Sequence, residues 1–296
     1  MRTLEQKISD AGPNNQRVDP HVLTVARNEL AREALISVYR RNNVRWYHLS
    51  STPHSHVVQR VDVQGQVFDR TSRKSVTLRV GQTLEIAVFK ALQDQPHHFL
   101  GAFRDLDEHG DDTLYSKEDP PPTLSGRSLP GDLRLDFLLL HAEAGAAAIE
   151  VKNLREWIYP DRQEVRDLLR KACAINAVPV LIARRYAYST YSVLHRCGVI
   201  LHQQYNQLYP ESERELAALA ARKDLLGYHD IRVGNAPDNR LRKFVTEHLP
   251  NLLPEARERF EVYRDLLRAY GEGQMSYEEF AARAARRERG EGEDGT

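Results

Sequence analysis

Cysteine is almost missing: Cys173 and Cys197 are the two thiols in 296 residues. Two are too few for a disulfide framework, and each sits in an apolar stretch. Both read as small core residues of a reducing compartment. Net charge is missing as well, since 42 Lys and Arg balance 42 Asp and Glu. Global positive charge therefore makes no case for nucleic-acid binding, and any basic surface has to be local. No apolar run approaches the length of a membrane span. The segment from Met1 to Asp10 lacks the apolar core of a signal peptide. The expected location is the cytoplasm, with no membrane partner. Zinc-type spacing is missing too. His54/His56, His97/His98 and His195/His202 come without Cys or His partners at such intervals and read as loop or surface residues.

What is present is a globular composition, 41% hydrophobic and 28% charged, in a chain long enough for one large domain or two small ones. Residues 1–20 are polar, with Gly12, Pro13, Asn14 and Asn15, and are expected as an arm or loop. Val22, Val25, Ala26, Leu30, Ala34, Leu35 and Val38 recur at helical spacing and predict a helix over 22–39. Trp46, Tyr47 and Leu49 predict a strand. The Val- and Gln-rich stretch 56–68 predicts a hairpin turning at Gln64-Gly65-Gln66. Helix followed by hairpin makes residues 1–80 an α+β module of winged-helix-like kind. Within it, Arg40, Arg41 and Arg45 beside Trp46 and Tyr47 read either as a DNA-facing patch or as a charged helix end.

Residues 81–210 read as an α/β layer: a mixed central sheet flanked by helices. The predicted order is helix 83–92, strand 99–103, a hairpin of 133–140 with 146–151, helix 161–174 capped by Asp161, strand 178–183, helix 190–196 and strand 198–201. The polar stretch 104–131, with Pro120-Pro121-Pro122, is long enough to mark a functional or mobile loop. Helices over 211–224, 238–248 and 254–270 predict a helical C-terminal extension, 211–272. Residues 273–296 carry a capping box, Ser276 with Glu279, and then a Gly/Glu/Arg tail expected to be disordered.

The chemistry concentrates in the hairpin. Strand side chains alternate, so Glu150 and Lys152 share one face while Ile149 and Val151 share the other. Asp136, in the preceding strand, lies across from them within a few residues of register. Two carboxylates and an ammonium at one end of an apolar sheet are costly unless something uses them. The carboxylates repel unless a cation lies between them. Oxygen ligands of this kind suit Mg²⁺, with Mn²⁺ as a substitute. The lysine beside them is placed to hold water or offset charge on a phosphate. A Glu-X-Lys triplet alone also fits an exposed strand edge with a weak ion pair. The apolar strands and the in-strand Asp set this one apart.

Asp136 followed by Glu150-Val151-Lys152 resembles the signature of the PD-(D/E)XK nuclease superfamily, the restriction-endonuclease-like enzymes, over about residues 82–201. The literal Pro-Asp is replaced: Leu135 precedes Asp136, and Pro130-Gly131-Asp132 makes Asp132 the reserve candidate. The resemblance implies a further glutamate on the helix before the sheet, where Glu85 stands. It also implies a glutamine or lysine on the helix after it, where Gln163 stands, with Lys171 as the weaker candidate. It implies a metal held by Asp136, Glu150, the Val151 carbonyl and Glu85. The expected function is Mg²⁺-dependent hydrolysis of DNA, with a homodimer if both strands of a duplex are cut. The alternative is a non-catalytic DNA-binding or regulatory protein that keeps the fold. Tyr186, Tyr188 and Tyr191, near Arg184 and Arg185, read either as base-stacking residues or as core packing.

Overall fold

The computed structural model describes residues 2–11, 18–108 and 110–291; of the arm or loop expected over 1–20, residues 1 and 12–17 lie outside these and residues 2–11 are helical instead, and residues 292–296 of the expected tail also lie outside. The chain forms two compact units. One holds residues 1–80, 110–112 and 206–234, and the other 81–109, 113–205 and 235–296. The predicted extension 211–272 is thus divided, its first part belonging with the N-terminal residues.

In the first unit, helices α1 (Arg2–Ala11) and α2 (Pro20–Arg32) lead into the strands β1 (Ile36–Arg41) and β2 (Val44–Leu49). Asp19 caps α2 through the His21 N–H at 3.0 Å, with Pro20 in the first turn. The helix predicted over 22–39 stops early, because Ile36, Val38 and Tyr39 pair as a strand with Leu49, Tyr47 and Trp46. The turn is Asn42-Asn43, both residues at positive φ, as a two-residue hairpin requires. The hairpin predicted over 56–68 is instead part of helix α3 (His54–Thr71). Val57, Val61 and Gly65 repeat every four residues and are buried, a helical period that outweighs the turn signal of Gly65. Gly65 serves close approach: a Cβ there would lie 2.6 Å from the Arg41 guanidinium. That guanidinium pairs with Asp69 at 2.8 Å and Asp62 at 3.5 Å.

Helix α4 (Lys74–Gln93) begins nine residues before the predicted 83, and the boundary between the units falls within it. In the second unit, β3 (His98–Leu100) is followed by β4 (Ala102–Phe103), β5 (Lys117–Glu118), β6 (Thr123–Leu124) and β7 (Arg127–Ser128). Next come β8 (Phe137–His141), β9 (Gly145–Lys152), α5 (Gln163–Ile175), β10 (Val178–Ala183), α6 (Tyr188–Arg196) and β11 (Ile200–Gln203). The stretch predicted as loop, 104–131, therefore carries β5, β6 and β7: β5 pairs antiparallel with β4, just before the stretch, and β6 with β7.

The main sheet is mixed and five-stranded, in the order β11-β10-β9-β8-β3. Strands β9, β10 and β11 run parallel, joined by α5 and α6, as parallel pairing demands. β8 returns antiparallel to β9, and β3 antiparallel to β8. β10 (Val-Pro-Val-Leu-Ile-Ala) is wholly buried. Helix α5 takes Arg162 rather than the predicted Asp161 as its N-cap and has no side-chain cap.

Strand β12 (Gln207–Tyr209), helix α7 (Arg214–Ala221) and strand β13 (Ile231–Val233) return to the first unit, with β12 parallel to β13. Helices α8 (Asn239–Lys243), α9 (Leu249–Gly271) and α10 (Tyr277–Glu288) complete the second. α9 begins before the predicted residue 254 and carries Pro254 inside it. Ser276 caps α10 through the Glu279 N–H at 3.2 Å. Phe260, Leu267 and Tyr270 of α9 pack with Leu168 and Leu169 of α5, Leu194 of α6 and Phe280 of α10. Cys173 and Cys197 lie in this core as free thiols, both pushed up to about 12 by burial. No helix among the described residues is long and apolar enough to cross a membrane.

Gly198, between α6 and β11, has φ +82°, and a Cβ there would run into Ala256 O and Phe260 N of α9. Gly81, inside α4, has nothing within 4 Å of its would-be Cβ. Gly198→Ala is expected to destabilise the protein by on the order of 3 kcal/mol, from left-handed strain and overpacking together. Gly81→Ala is expected to stabilise it by about 0.5–1 kcal/mol. Urea unfolding midpoints of the two variants, which should move in opposite directions, check both.

Candidate active site

The antiparallel register pairs Phe137 with Ile149, so Asp136, one residue before β8, stands opposite Glu150. Opposed residues project to the same face, and Lys152, two residues on, joins them. The Asp136 carboxylate lies 4.0 Å from Lys152 Nζ, and Lys152 Nζ in turn donates to Glu150 Oε1. The Val151 N–H donates to Asp136 Oδ2 at 2.7 Å and fixes that carboxylate at the strand end.

Two further lysines and one glutamate extend the group. Lys117 Nζ donates to Asp136 Oδ1 at 2.6 Å and to Glu85 Oε2 at 2.7 Å. Lys171 Nζ, only 3% exposed, donates to Glu150 Oε2 and to Arg134 O, the latter at 2.8 Å. Glu85, Lys117, Asp136, Lys152, Glu150 and Lys171 thus form one chain in which charge alternates at every step. The two ends reach different helices, Glu85 on α4 and Lys171 on α5.

Local structure explains each placement. Glu85 lies one turn before Phe89, whose ring stacks on Phe137 next to Asp136. Gln82, on the same helix, holds the segment around Tyr115 by two hydrogen bonds of 2.8 Å, to its N–H and its carbonyl. That clamp and the pairing of Phe103 with Lys117 bring the lysine over the Phe137 ring, 5.7 Å from its centroid. Lys171 comes three residues after Leu168 and seven after Glu164, a single helical face turned to the sheet.

These contacts set the electrostatics. Burial, then the neighbouring Asp136 charge, push the Glu85 carboxyl up to about 7 against the pull of Lys117 and Lys152. Burial also works against the Asp136 charge, but Lys152, Lys117 and the Val151 N–H outweigh it and hold that group below the usual carboxylate range. Lys117 and Lys152 are both raised. Burial opposes their charge, and Asp136 with Glu85, and Glu150 with Asp136, overcome it. Glu164, on α5, is lowered: burial is outweighed by Arg162, with Lys152 contributing.

Of the residues singled out by sequence, Asp136, Glu150, Lys152 and Glu85 come together, with Val151 buried between them. Asp132 does not join them and is exposed in a turn. Gln163 does not join them either. It is exposed at the start of α5, its amide bonded to Asp167 at 2.7 Å, and it lines a separate cleft with Arg166 and Arg170. Lys171, two turns along the same helix, stands at the chain's end instead. Lys117 was not a candidate. It sits in the polar stretch 104–131, where length pointed to function but no spacing singled out a residue.

The carboxylates are kept apart by ammonium groups as they stand. Among the described residues no group of three or more His, Cys, Asp or Glu side chains is disposed to hold a metal ion. The donor chemistry nonetheless fits a hard divalent cation. Asp136 and Glu150 share Lys152, and Asp136 and Glu85 share Lys117, so a cation already bridges each neighbouring pair of carboxylates. Comparison with protein-family models, curated proteins and solved structures finds no match to the chain.

Glu85 binds its proton more tightly when folded, so its contribution to stability is full below about pH 4.5 and is lost as pH rises through about 7. In EDTA, the unfolding free energy of the parent from urea titration should fall over that window relative to Glu85→Gln, by on the order of 3 kcal/mol in total. Parallel pH profiles would sink the assignment. Lys171→Met should cost roughly 2–4 kcal/mol by leaving the buried Glu150 Oε2 without its ammonium, while Oε1 keeps Lys152. The double variant Lys171→Met/Glu150→Gln should recover part of that loss in the same unfolding assay.

Proposed function

We propose that the chain is a divalent-metal-dependent nuclease of the PD-(D/E)XK, restriction-endonuclease-like kind that hydrolyses phosphodiester bonds in DNA. One observation carries it: Asp136, Glu150 and Lys152 converge on one face at the strand ends, with Glu85 joined to Asp136 through Lys117. The order α4, β3, hairpin β8–β9, α5, β10 in one mixed sheet supports the reading, since it is the order that the resemblance implies. The restriction-endonuclease-like fold itself is part of the proposal.

Asp136, Glu150 and Glu85 would hold Mg²⁺, or Mn²⁺ in its place, with the Val151 carbonyl as the further oxygen ligand. When bound, such an ion supplies positive charge to a phosphate oxygen and acidifies water. The chain's own residues do the rest. Val151 N–H keeps the Asp136 carboxylate aimed out of the strand end. Lys152, charged at all relevant pH, orients the attacking water and offsets negative charge as it grows on the phosphate. Lys171 holds Glu150 from below, so that its second oxygen faces Lys152. Glu85, joined to Asp136 through Lys117, would support the metal as a further carboxylate beside it. Gln163 has no part in this scheme.

A second reading is favoured by one feature. Three acids and three lysines neutralise each other without help, which suits a structural cluster in a non-catalytic DNA-binding or regulatory protein. The two readings part on one experiment. Plasmid, single-stranded and branched DNA are incubated with the protein in Mg²⁺, in Mn²⁺ and in EDTA. The nuclease reading expects cleavage with metal only, lowered at least about 100-fold by Lys152→Ala or Glu150→Gln with the circular dichroism unchanged. No cleavage of any substrate with either metal, or cleavage indifferent to both variants, overturns it.

A further inference from the structure

The rings that the sequence left between stacking and packing stand in one ladder. Tyr186 and Tyr191 stack with centroids 6.4 Å apart and planes 10° from parallel. Tyr191 stacks in turn on His195, at 5.0 Å and 25°. Tyr188 leans on Tyr191 at 6.5 Å. On α6, Tyr188, Tyr191 and His195 fall at i, i+3 and i+7, so the helix presents them as a single stripe. The inner end of the stripe is packed, since Tyr186 lies against the core beneath α6. The outer end is open: Tyr188 is 78% exposed and Tyr191 37%. Packing accounts for Tyr186. It does not account for a tyrosine with three-quarters of its surface in solvent.

The ladder has a defined place in the sheet. β9 and β10 are parallel, and Ala183 at the end of β10 pairs with Lys152 at the end of β9. The Arg184 N–H continues that pairing onto Lys152 O at 3.0 Å, and Ile158 bridges to Tyr186. Leu181 and Ala183, paired with Glu150 and Lys152, face the core on which α6 packs. The ladder and the charge chain therefore emerge at the same carboxyl edge of the sheet and toward the same helical layer. Tyr188, five residues past Ala183, stands at most about 18 Å from it. That is a reach of a few nucleotides from the chemistry.

We propose that Tyr188 and Tyr191 form a base-stacking platform that selects an unpaired DNA strand and leads it to the acid–lysine site. A base in a duplex has both faces covered by its neighbours. An open tyrosine face is of use only to a base whose own face is free. Stacking is indifferent to which base is bound, so the strand is chosen by its single-strandedness and not by sequence. The substrate class assigned here rests on the nuclease reading, but the platform itself is tested without cleavage.

The probes are a fluorescein-labelled single strand, the duplex of the same sequence, and an abasic strand of equal length, each titrated into the full chain in EDTA with anisotropy as the readout. The parent is expected to bind the single strand more tightly than either the duplex or the abasic strand. Tyr188→Ala should weaken single-strand binding roughly ten- to hundredfold and leave abasic binding unchanged. Tyr188→Phe should bind as the parent does, since the ring and not the hydroxyl is used. A parent that prefers the duplex, a Tyr188→Ala variant with unaltered single-strand affinity, or an equal loss on the abasic strand each overturns the platform. Single-strand binding that depends on Tyr188, in a protein that cleaves nothing with metal, keeps the platform and removes the nuclease. Metal-dependent cleavage of single strands that ignores Tyr188 does the reverse.

Discussion

Six ionisable side chains are packed end to end at the mouth of an otherwise apolar sheet, and they are tolerable only because acids and lysines alternate. Taking a carboxylate or an ammonium out of water costs several kcal/mol even after relaxation. Each inner member of the chain recovers that by touching two opposite charges, as Lys117 does with Glu85 and Asp136. Removing any inner member leaves two like charges facing each other across the gap. The strand register, the clamp of Gln82 on Tyr115 and the facing of α5 have to be right together for the chain to close.

The same constraint explains why the cluster lies where it does. Asp136 stands just before the β8–β9 ladder, whose last pair is Phe137 with Ile149, and Glu150 lies one residue past that pair on β9, where β10 still pairs with it. The Val151 N–H, left without a β8 carbonyl at that point, takes Asp136 as its acceptor. Helices on the two faces then reach around the strand end, α4 with Glu85 and α5 with Lys171. A plug of apolar residues of equal volume would hold this corner at least as well, since buried ion pairs are weak contributors to stability. The cluster is thus no better a contributor to stability than an apolar plug would be. In the proposed hydrolysis the same charges would hold the metal ion and meet the phosphate.

Much of this was legible in sequence, and the parts that were not have a common cause. Asp136, Glu150 and Lys152 could be placed together because a hairpin is local: alternation and a short turn decide which side chains share a face. The strands 178–183 and 198–201 were readable for the same reason, as short buried runs between helices. Lys117 was invisible because its position depends on non-local contacts, the pairing of Phe103 with Lys117 and the hold of Gln82 on Tyr115. Gln163 and Lys171 lie on one helix, and spacing from the Glu-X-Lys strand cannot say which way that helix is rotated. Leu168 and Lys171 turn inward, and Gln163 is left outside. In the first unit the error was one of period. Val57, Val61 and Gly65 repeat every four residues, yet the glycine between two glutamines read as a turn, and the start of β1, from Ile36 to Tyr39, was overrun by a helical count.

The parallel half of the sheet ties the two ends of the proposed function together. Because β9 and β10 run the same way, both strands deliver their carboxyl ends to one edge. β9 ends in the lysine of the charge chain, and β10 leads into the turn that starts the aromatic ladder. An antiparallel β10 would have put Tyr188 at the far end of the sheet, out of reach of any strand lying across Asp136 and Glu150. The Ala183–Lys152 pairing is therefore the joint on which the proposed recognition and the proposed chemistry both turn. A shift of register there by one residue would send Lys152 and Tyr186 out of alignment together. Such a shift is opposed along the whole of β10, where every residue from Val178 to Ala183 is buried and a slip would exchange its two faces.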